Sequence, residues 1–132
     1  ALTGTALEMV VICPSNPFIS IDPILAVPTV RKLLAGCPAP VVAVSPIVGG
    51  QAIKGPTAKM LAELGRPTSA LAIAEHYRGL IDGFVIDTAD AASAEAIREL
   101  GCEVRVTNTV MKSLQDRVSL ARDAVAFAQE LQ

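Results

Sequence analysis

Aromatic residues are scarce in this chain of 132 residues: tryptophan is absent, tyrosine occurs once (Tyr77) and phenylalanine three times. With no aromatic stacking platforms, and a net charge of −2 instead of a basic footprint, the composition argues against a nucleic-acid polymer as partner. Histidine occurs once. His76 sits inside a predicted helix beside Tyr77, so no histidine metal cluster or Ser/His triad assembles around it, and a packing or hydrogen-bonding role is expected. Cys13, Cys37 and Cys102 are odd in number and widely spaced, which predicts reduced thiols of a cytosolic protein, not a disulfide framework or a zinc site. No apolar run approaches the roughly 20 residues a membrane span needs, and the charged leader and cleavage pattern of a signal peptide are missing. The chain opens Ala1-Leu2-Thr3-Gly4 without methionine, which fits either methionine removal or a start inside a longer protein.

What the chain has in quantity is aliphatic. Half of it is apolar (52%), carried by Ala, Val, Ile and Leu, as in sheets covered by helices on both faces. Four strand candidates alternate with helical patterns: Met9–Cys13, Val41–Ser45, Phe84–Asp87 and Glu103–Thr107. Strands separated by helices imply right-handed crossovers and a parallel sheet, so the length fits one domain or part of one.

Helix signals fall between the strands. Asp22-Pro23 reads as an N-cap followed by Pro at the first helical position; Pro28 interrupts that helix, and a second piece from Thr29 to Ala35 stops at Gly36. Gly55-Pro56 opens the next helix, which Gly65 closes. Thr68 or Ser69 caps a helix through Leu80, Asp90 caps Ala91–Leu100, and Ser113 with Asp116 forms a capping box for the last helix. That helix carries two apolar stripes, one through Leu114, Val118, Ala121, Val125 and Ala128, the other through Leu120, Ala124, Phe127 and Leu131. Both are expected to be buried within the fold, with a subunit or missing-domain contact as the alternative for one of them.

In a parallel sheet the carboxyl ends of the strands share one edge, where ligands bind. After the first strand, the proline-framed run Pro14–Leu25 presents Ser15, Asn16 and Ser20, whose side chains can donate to phosphate or base oxygens; a rigid turn that satisfies its own backbone is the alternative. After the second strand, Gly49-Gly50 allows close backbone approach and Lys54 and Lys59 offer cations, although the spacing is that of no established phosphate loop. After the third, Asp87 is a candidate for a ligand hydroxyl or metal, or a structural strand-end acid. After the fourth come Thr107, Asn108, Thr109 and Lys112, with helix capping as the alternative role.

Four ordered segments carry a resemblance: Pro14-Ser15-Asn16-Pro17 with Ser20-Ile21-x-Pro23-Ile24-Leu25, then Val44–Gly50 with Lys54-Gly55-Pro56, then Asp82–Asp87, then Thr107-x-Thr109-Val110-Met111. Together they resemble the 2-phospho-L-lactate transferase family of deazaflavin coenzyme (F-420) biosynthesis, with similarity to actinobacterial members that use a phosphoenolpyruvate-derived donor. The resemblance runs from about Met9 to the end and implies that 1–132 is the C-terminal part of a single Rossmann-like α/β domain, a parallel sheet with helices on both faces.

It further implies a cytoplasmic, homodimeric transferase, paired through helices. Such an enzyme moves a phospholactyl or phosphoenolpyruvyl group from a guanosine-diphospho donor to the ribityl hydroxyl of the deazaflavin Fo, releasing GMP with magnesium assistance. On that basis Ser15, Asn16, Pro17 and Ser20 are expected on the nucleotide side, and Gly49, Gly50, Lys54, Asp87 and Thr107 facing phosphate or substrate. The glycine-rich turn and metal-binding acid of the family belong to its earlier half. No metal ligand is therefore expected in this chain, and it is expected to be inactive alone. The alternative reading is a nucleotide- or sugar-nucleotide-binding regulator of the same superfamily, whose corresponding loop lacks the Ser-Asn-Pro wording.

Overall fold

The structure, a computed structural model, describes residues 2, 4, 6–53 and 55–132. Four short β-branched runs form one parallel sheet: β1 (Val10–Ile12), β2 (Val41–Val44), β5 (Gly83–Asp87) and β6 (Glu103–Thr107), in the order β1-β2-β5-β6. All four expected strands are present, with β1 shorter than its apolar run. In register, Val10 pairs with Val41, Val42 with Gly83, and Gly83 with Glu103. β2 and β5 are central and buried along their whole length, which is why they read as continuous hydrophobic runs without alternation.

Because every crossover advances in the same direction, right-handedness puts the intervening helices on one face. Those helices are α1 (Asp22–Leu25), α2 (Pro28–Ala35), α3 (Thr57–Glu63), α4 (Ala70–His76) and α5 (Ala94–Arg98). Leu25, Leu34, Leu61, Ile73 and Ile97 from them pack on Ile12, Val41, Ala43, Phe84, Ile86 and Val104 of the sheet. Each such side chain contributes about 1.5–3 kcal/mol by leaving water. The opposite face holds the last helix, α6 (Leu114–Glu130), whose Leu120, Phe127 and Ala128 close over Val42, Val44 and Val85. The fold is thus an α/β, Rossmann-like parallel sheet with helices on both faces.

Several local expectations are corrected. Helix begins five residues before Asp22: Asn16, not Asp22, is the cap, because its Oδ1 accepts from the N–H groups of Phe18 (2.9 Å) and Ile19 (3.3 Å) with Pro17 at the first position. A single wide turn, Pro17–Ile21, leads directly into α1. Ser69 rather than Thr68 caps α4, which stops at His76. Asp90 caps no helix. Asp87 instead caps a 3₁₀ turn over Thr88–Ser93, and α5 starts later, at Ala94. Gly49 and Gly50, both at positive φ (56° and 75°), form the two-residue turn of an unforeseen hairpin, β3 (Ile47–Val48) and β4 (Gln51–Ala52). A turn of that type requires left-handed conformations at both positions. Finally, only one stripe of α6 is buried within the fold. Of the other, Leu114 (74%), Ala121 and Val125 (41%) remain exposed and Val118 is half-buried, while Ala128 is buried.

Candidate functional site

The cleft at the carboxyl ends of the strands measures about 470 Å³. It is lined by Pro14, Ser15, Asn16, Ile19 and Ser20 after β1, by Ser45, Pro46 and Val48 after β2, by Ile53, Gly55 and Pro56 before α3, by Thr109 and Met111 after β6, and by Arg117 from the first turns of α6. Five separate segments therefore converge at the edge where a parallel sheet binds its ligands. The walls are apolar at Ile19, Val48, Ile53 and Met111; Ser15, Ser20, Ser45 and Thr109 are the hydroxyl-bearing residues of the lining, the last two with their hydroxyls bonded within the fold.

Each wall is held by an identifiable local device. Asn16 is anchored from both ends: its Oδ1 caps the turn at Pro17, and its Nδ2 reaches the sulfur of Met60 on α3 at 3.4 Å. Its position in the cleft is thus inseparable from its structural role. One turn further, Asp22 Oδ1 meets His76 Nε2 at 2.8 Å, and the Phe18 ring stands edge-on to the His76 ring, 5.1 Å between centroids. This contact ties the Ser15–Ser20 segment to α4. The Tyr77 hydroxyl beside it is pushed above the ordinary tyrosine range, first by burial and second by the negative Asp22. Ser45 is buried and closes a tight turn, donating to the carbonyl of Ile47 and accepting from its N–H.

Asp87 does not line the cleft. It is buried, and both of its oxygens are engaged: Oδ1 accepts from the N–H of Ala89 (2.9 Å) and the hydroxyl of Thr88, while Oδ2 accepts from the N–H (2.8 Å) and hydroxyl (3.2 Å) of Thr109. Burial pushes its pKa up, but the hydrogen bonds from Ala89, Thr109 and Thr88 outweigh burial, so the net direction is downward. The acid holds Thr109 in the cleft wall. Thr107 is likewise turned to an internal partner, donating to Asp123 Oδ2 at 2.6 Å.

Of the residues singled out in the sequence, Ser15, Asn16 and Ser20 are brought together in the cleft. Pro17 is buried just behind them, and Gly49, Gly50 and Thr107 lie outside the lining. The Gly49 N–H donates to Asp90 Oδ2 at 3.0 Å, which fastens the hairpin to the segment after β5. Lys54 lies outside the described residues.

Sequence reasoning missed Arg117, the one ionisable residue among the described residues lining the cleft. The signal for it was present. Ser113 and Asp116 form a complete capping box, with Ser113 Oγ accepting from the N–H of Asp116 and Asp116 Oδ2 accepting from the N–H of Ser113. That box fixes where α6 starts, and hence that its first turns face the cleft. Bonds from the Lys112 and Ser113 N–H groups, with the Ser113 hydroxyl, hold the Asp116 carboxyl below its usual range. An arginine beside hydroxyls and a capped helix start favours an anionic ligand. Among the described residues, no group of three or more His, Cys, Asp or Glu is placed to hold a metal ion, and no helix is long and apolar enough to cross a membrane.

A family profile described as "2-phospho-L-lactate transferase CofD" matches residues 5–122. Among curated proteins, the chain is 40% identical to a phosphoenolpyruvate transferase of Streptomyces coelicolor over 94% of its own length and 39% of that protein's. It is 42% identical to a 2-phospho-L-lactate transferase of Methanocaldococcus jannaschii, over 94% of its own length and 38% of the relative's. It is 39% identical to a phosphoenolpyruvate transferase of Kitasatospora aureofaciens with the same coverage as for the first. The chain thus spans about two-fifths of the length of the curated relatives it matches.

Proposed function

This chain belongs to the 2-phospho-L-lactate transferase family, and on that premise we propose that it supplies the nucleotide-side wall of a transferase acting in coenzyme F-420 biosynthesis. The donor is a guanosine-diphospho compound carrying a phospholactyl or phosphoenolpyruvyl group, the acceptor is the deazaflavin Fo, and GMP leaves. The observation that carries this reading is the cleft itself: Arg117 and the hydroxyl side chains of Ser15 and Ser20 set against apolar walls at the strand ends. The chemistry matches. A diphosphate calls for donors and a cation, and a planar heterocycle calls for flat apolar surfaces.

In this reading Arg117 pairs with a phosphate oxygen, and the hydroxyls of Ser15 and Ser20 donate to phosphate or base oxygens, while Thr109, whose own hydroxyl donates to Asp87, forms part of the wall. Ile19, Val48, Ile53 and Met111 exclude water around the ring. Asn16 and Asp87 act by positioning: Asn16 holds the Ser15–Ser20 segment and Asp87 holds Thr109. Preorganised donors of this kind stabilise the negative charge that develops on departing GMP. Magnesium assists that departure when bound. On this reading its ligands belong to polypeptide outside this chain, and no step is routed through it here. The whole enzyme is proposed to be a cytoplasmic homodimer.

Half a site binds without turning over. The 132-residue chain is expected to bind GDP and GMP weakly by calorimetry and to transfer no phospholactyl group to Fo. Robust turnover by this chain would refute the division of the site, and absence of any GDP heat at millimolar nucleotide would refute the nucleotide reading.

A further inference from the structure

The Ser15–Ser20 wall of the cleft has no strand ladder to hold it. Past Ile12 the segment pairs with no strand among the described residues. Pro14, Pro17 and Pro23 lack an N–H, and the amides of Phe18, Ile19 and Ser20 bond locally to Asn16, the last to its carbonyl at 3.0 Å. Where this turn stands, and how it is rotated, is therefore left to side chains that reach other elements. Phe18 and Ile21 pack on the core, but apolar packing has no direction of its own. Among the described residues two hydrogen bonds supply direction. Asn16 Nδ2 meets the Met60 sulfur, a weak acceptor. Asp22 Oδ1 meets His76 Nε2 at 2.8 Å, across 54 positions of sequence. The second is the stronger tie.

We propose that His76 is a positioning residue for this wall, acting through Asp22 and Phe18 to fix the rotation of the turn. Phe18 and Asp22 are four residues apart and share one side of the turn, where both meet the same imidazole. The Phe18 ring stands edge-on to it at 5.1 Å between centroids, and Asp22 binds it through an oxygen. Ile19 and Ser20, which lie between them in sequence, line the cleft. One imidazole thus grips the back of the turn at two points and sets its front. The platform behind it is firm, because α4 is buried at Ala70, Ala72, Ile73 and Ala74 and the Tyr77 ring packs edge-on against His76. The side chains of His76 and Asp22 are 19% and 37% exposed, so the pair contributes little to stability as an ion pair; its contribution is direction. A carboxylate oxygen only accepts, so Nε2 carries the proton whether the ring is neutral or cationic. His76 itself does not line the cleft, and its role is read in the order of the wall and in affinity.

His76→Phe keeps an aromatic ring against Phe18 and removes the donor, His76→Leu repeats the removal without added bulk, and His76→Gln returns a donor near the Nε2 position. Amide hydrogen exchange is expected to quicken about fivefold at Phe18, Ile19 and Ser20 in the first two variants, with Leu120 and Phe127 of α6 unchanged. His76→Gln should return those three amides towards their original rates. All three variants should melt within about 4 °C of the unmodified chain. Ile97→Val, a comparable loss in the core beneath α5, should leave the three amides unchanged. The affinity measurement rests on the nucleotide reading of the cleft: GDP should bind about fivefold more weakly to His76→Phe, and His76→Gln should recover most of the loss. Unchanged exchange at Phe18–Ser20 in both loss variants would overturn the proposal, as would an equal rise in Ile97→Val or no recovery in His76→Gln. Faster exchange with GDP affinity unchanged would overturn it too, because the wall would then bind equally well unheld. Failure of the unmodified chain to bind GDP would count against the nucleotide reading alone, since exchange decides the role of His76 without nucleotide.

Discussion

Asp87 Oδ2 accepts both the backbone N–H and the hydroxyl of Thr109, at 2.8 and 3.2 Å, so the buried end of β5 fixes the residue after β6 that forms part of the cleft wall. A carboxylate whose folded pKa lies below its unfolded value stabilises the fold above the ordinary carboxyl range, and that contribution is lost as pH falls through the folded pKa. The Asp87 shift is in this direction. The melting temperature is therefore expected to decline as pH drops below about 4. Asp87→Asn should flatten that acid limb and, at neutral pH, cost about 2–4 kcal/mol by leaving two donors facing an amide. Thermal melts across pH 2–7 check both.

The sheet approaches the end of α6 closely at Gly83. A Cβ there would stand 2.7 Å from Leu131 Cδ1 and 2.8 Å from Phe127 Cε1. Gly83→Ala is expected to destabilise by about 1–3 kcal/mol, read as a lower denaturant midpoint with an unchanged slope. Phe127→Leu introduced alongside it should recover part of the loss.

Ser113→Ala removes one half of the capping box and is expected to cost about 1 kcal/mol. Hydrogen exchange should locate the effect in the first turn of α6, around Arg117, and not in its last turn.

Arg117→Ala should leave the fold intact, since Arg117 forms no ion pair among the described residues. It should weaken GDP binding about tenfold, the scale of one charge-assisted hydrogen bond to phosphate. Arg117→Lys should restore only part of the affinity, because a point charge lacks the fork of the guanidinium. Calorimetry with GDP, repeated at higher salt, checks both variants.

The sheet was legible because its signals are local and redundant. β2 and β5 are buried on both faces and so are written as unbroken apolar runs, and glycine, proline and serine mark most helix boundaries. Local readings were harder where one side chain had two possible partners. Asn16, read either as a ligand contact or as part of a turn that satisfies its own backbone, lines the cleft and caps the turn at once, and Asp90 looked like a cap and holds the Gly49 N–H. Gly49-Gly50 offered close approach to a ligand and is used instead for the two left-handed positions of a hairpin. Arg117 was missed for another reason: the Ser113–Asp116 box marks where α6 starts, but the side its first turns face follows only from where β6 ends. The exposed stripe through Leu114 and Val125 was read correctly as apolar, but periodicity alone does not say whether a face is covered from inside or outside the chain.

The central claim is that the cleft between the Ser15–Ser20 segment and Arg117 receives the nucleotide. Amide chemical-shift mapping of the labelled chain during GDP titration tests it most directly. Shifts concentrated at Ser15, Ser20, Val48, Thr109 and Arg117, saturating at roughly millimolar nucleotide, are the predicted result. Shifts confined to residues away from that cleft, or none at all, would contradict it.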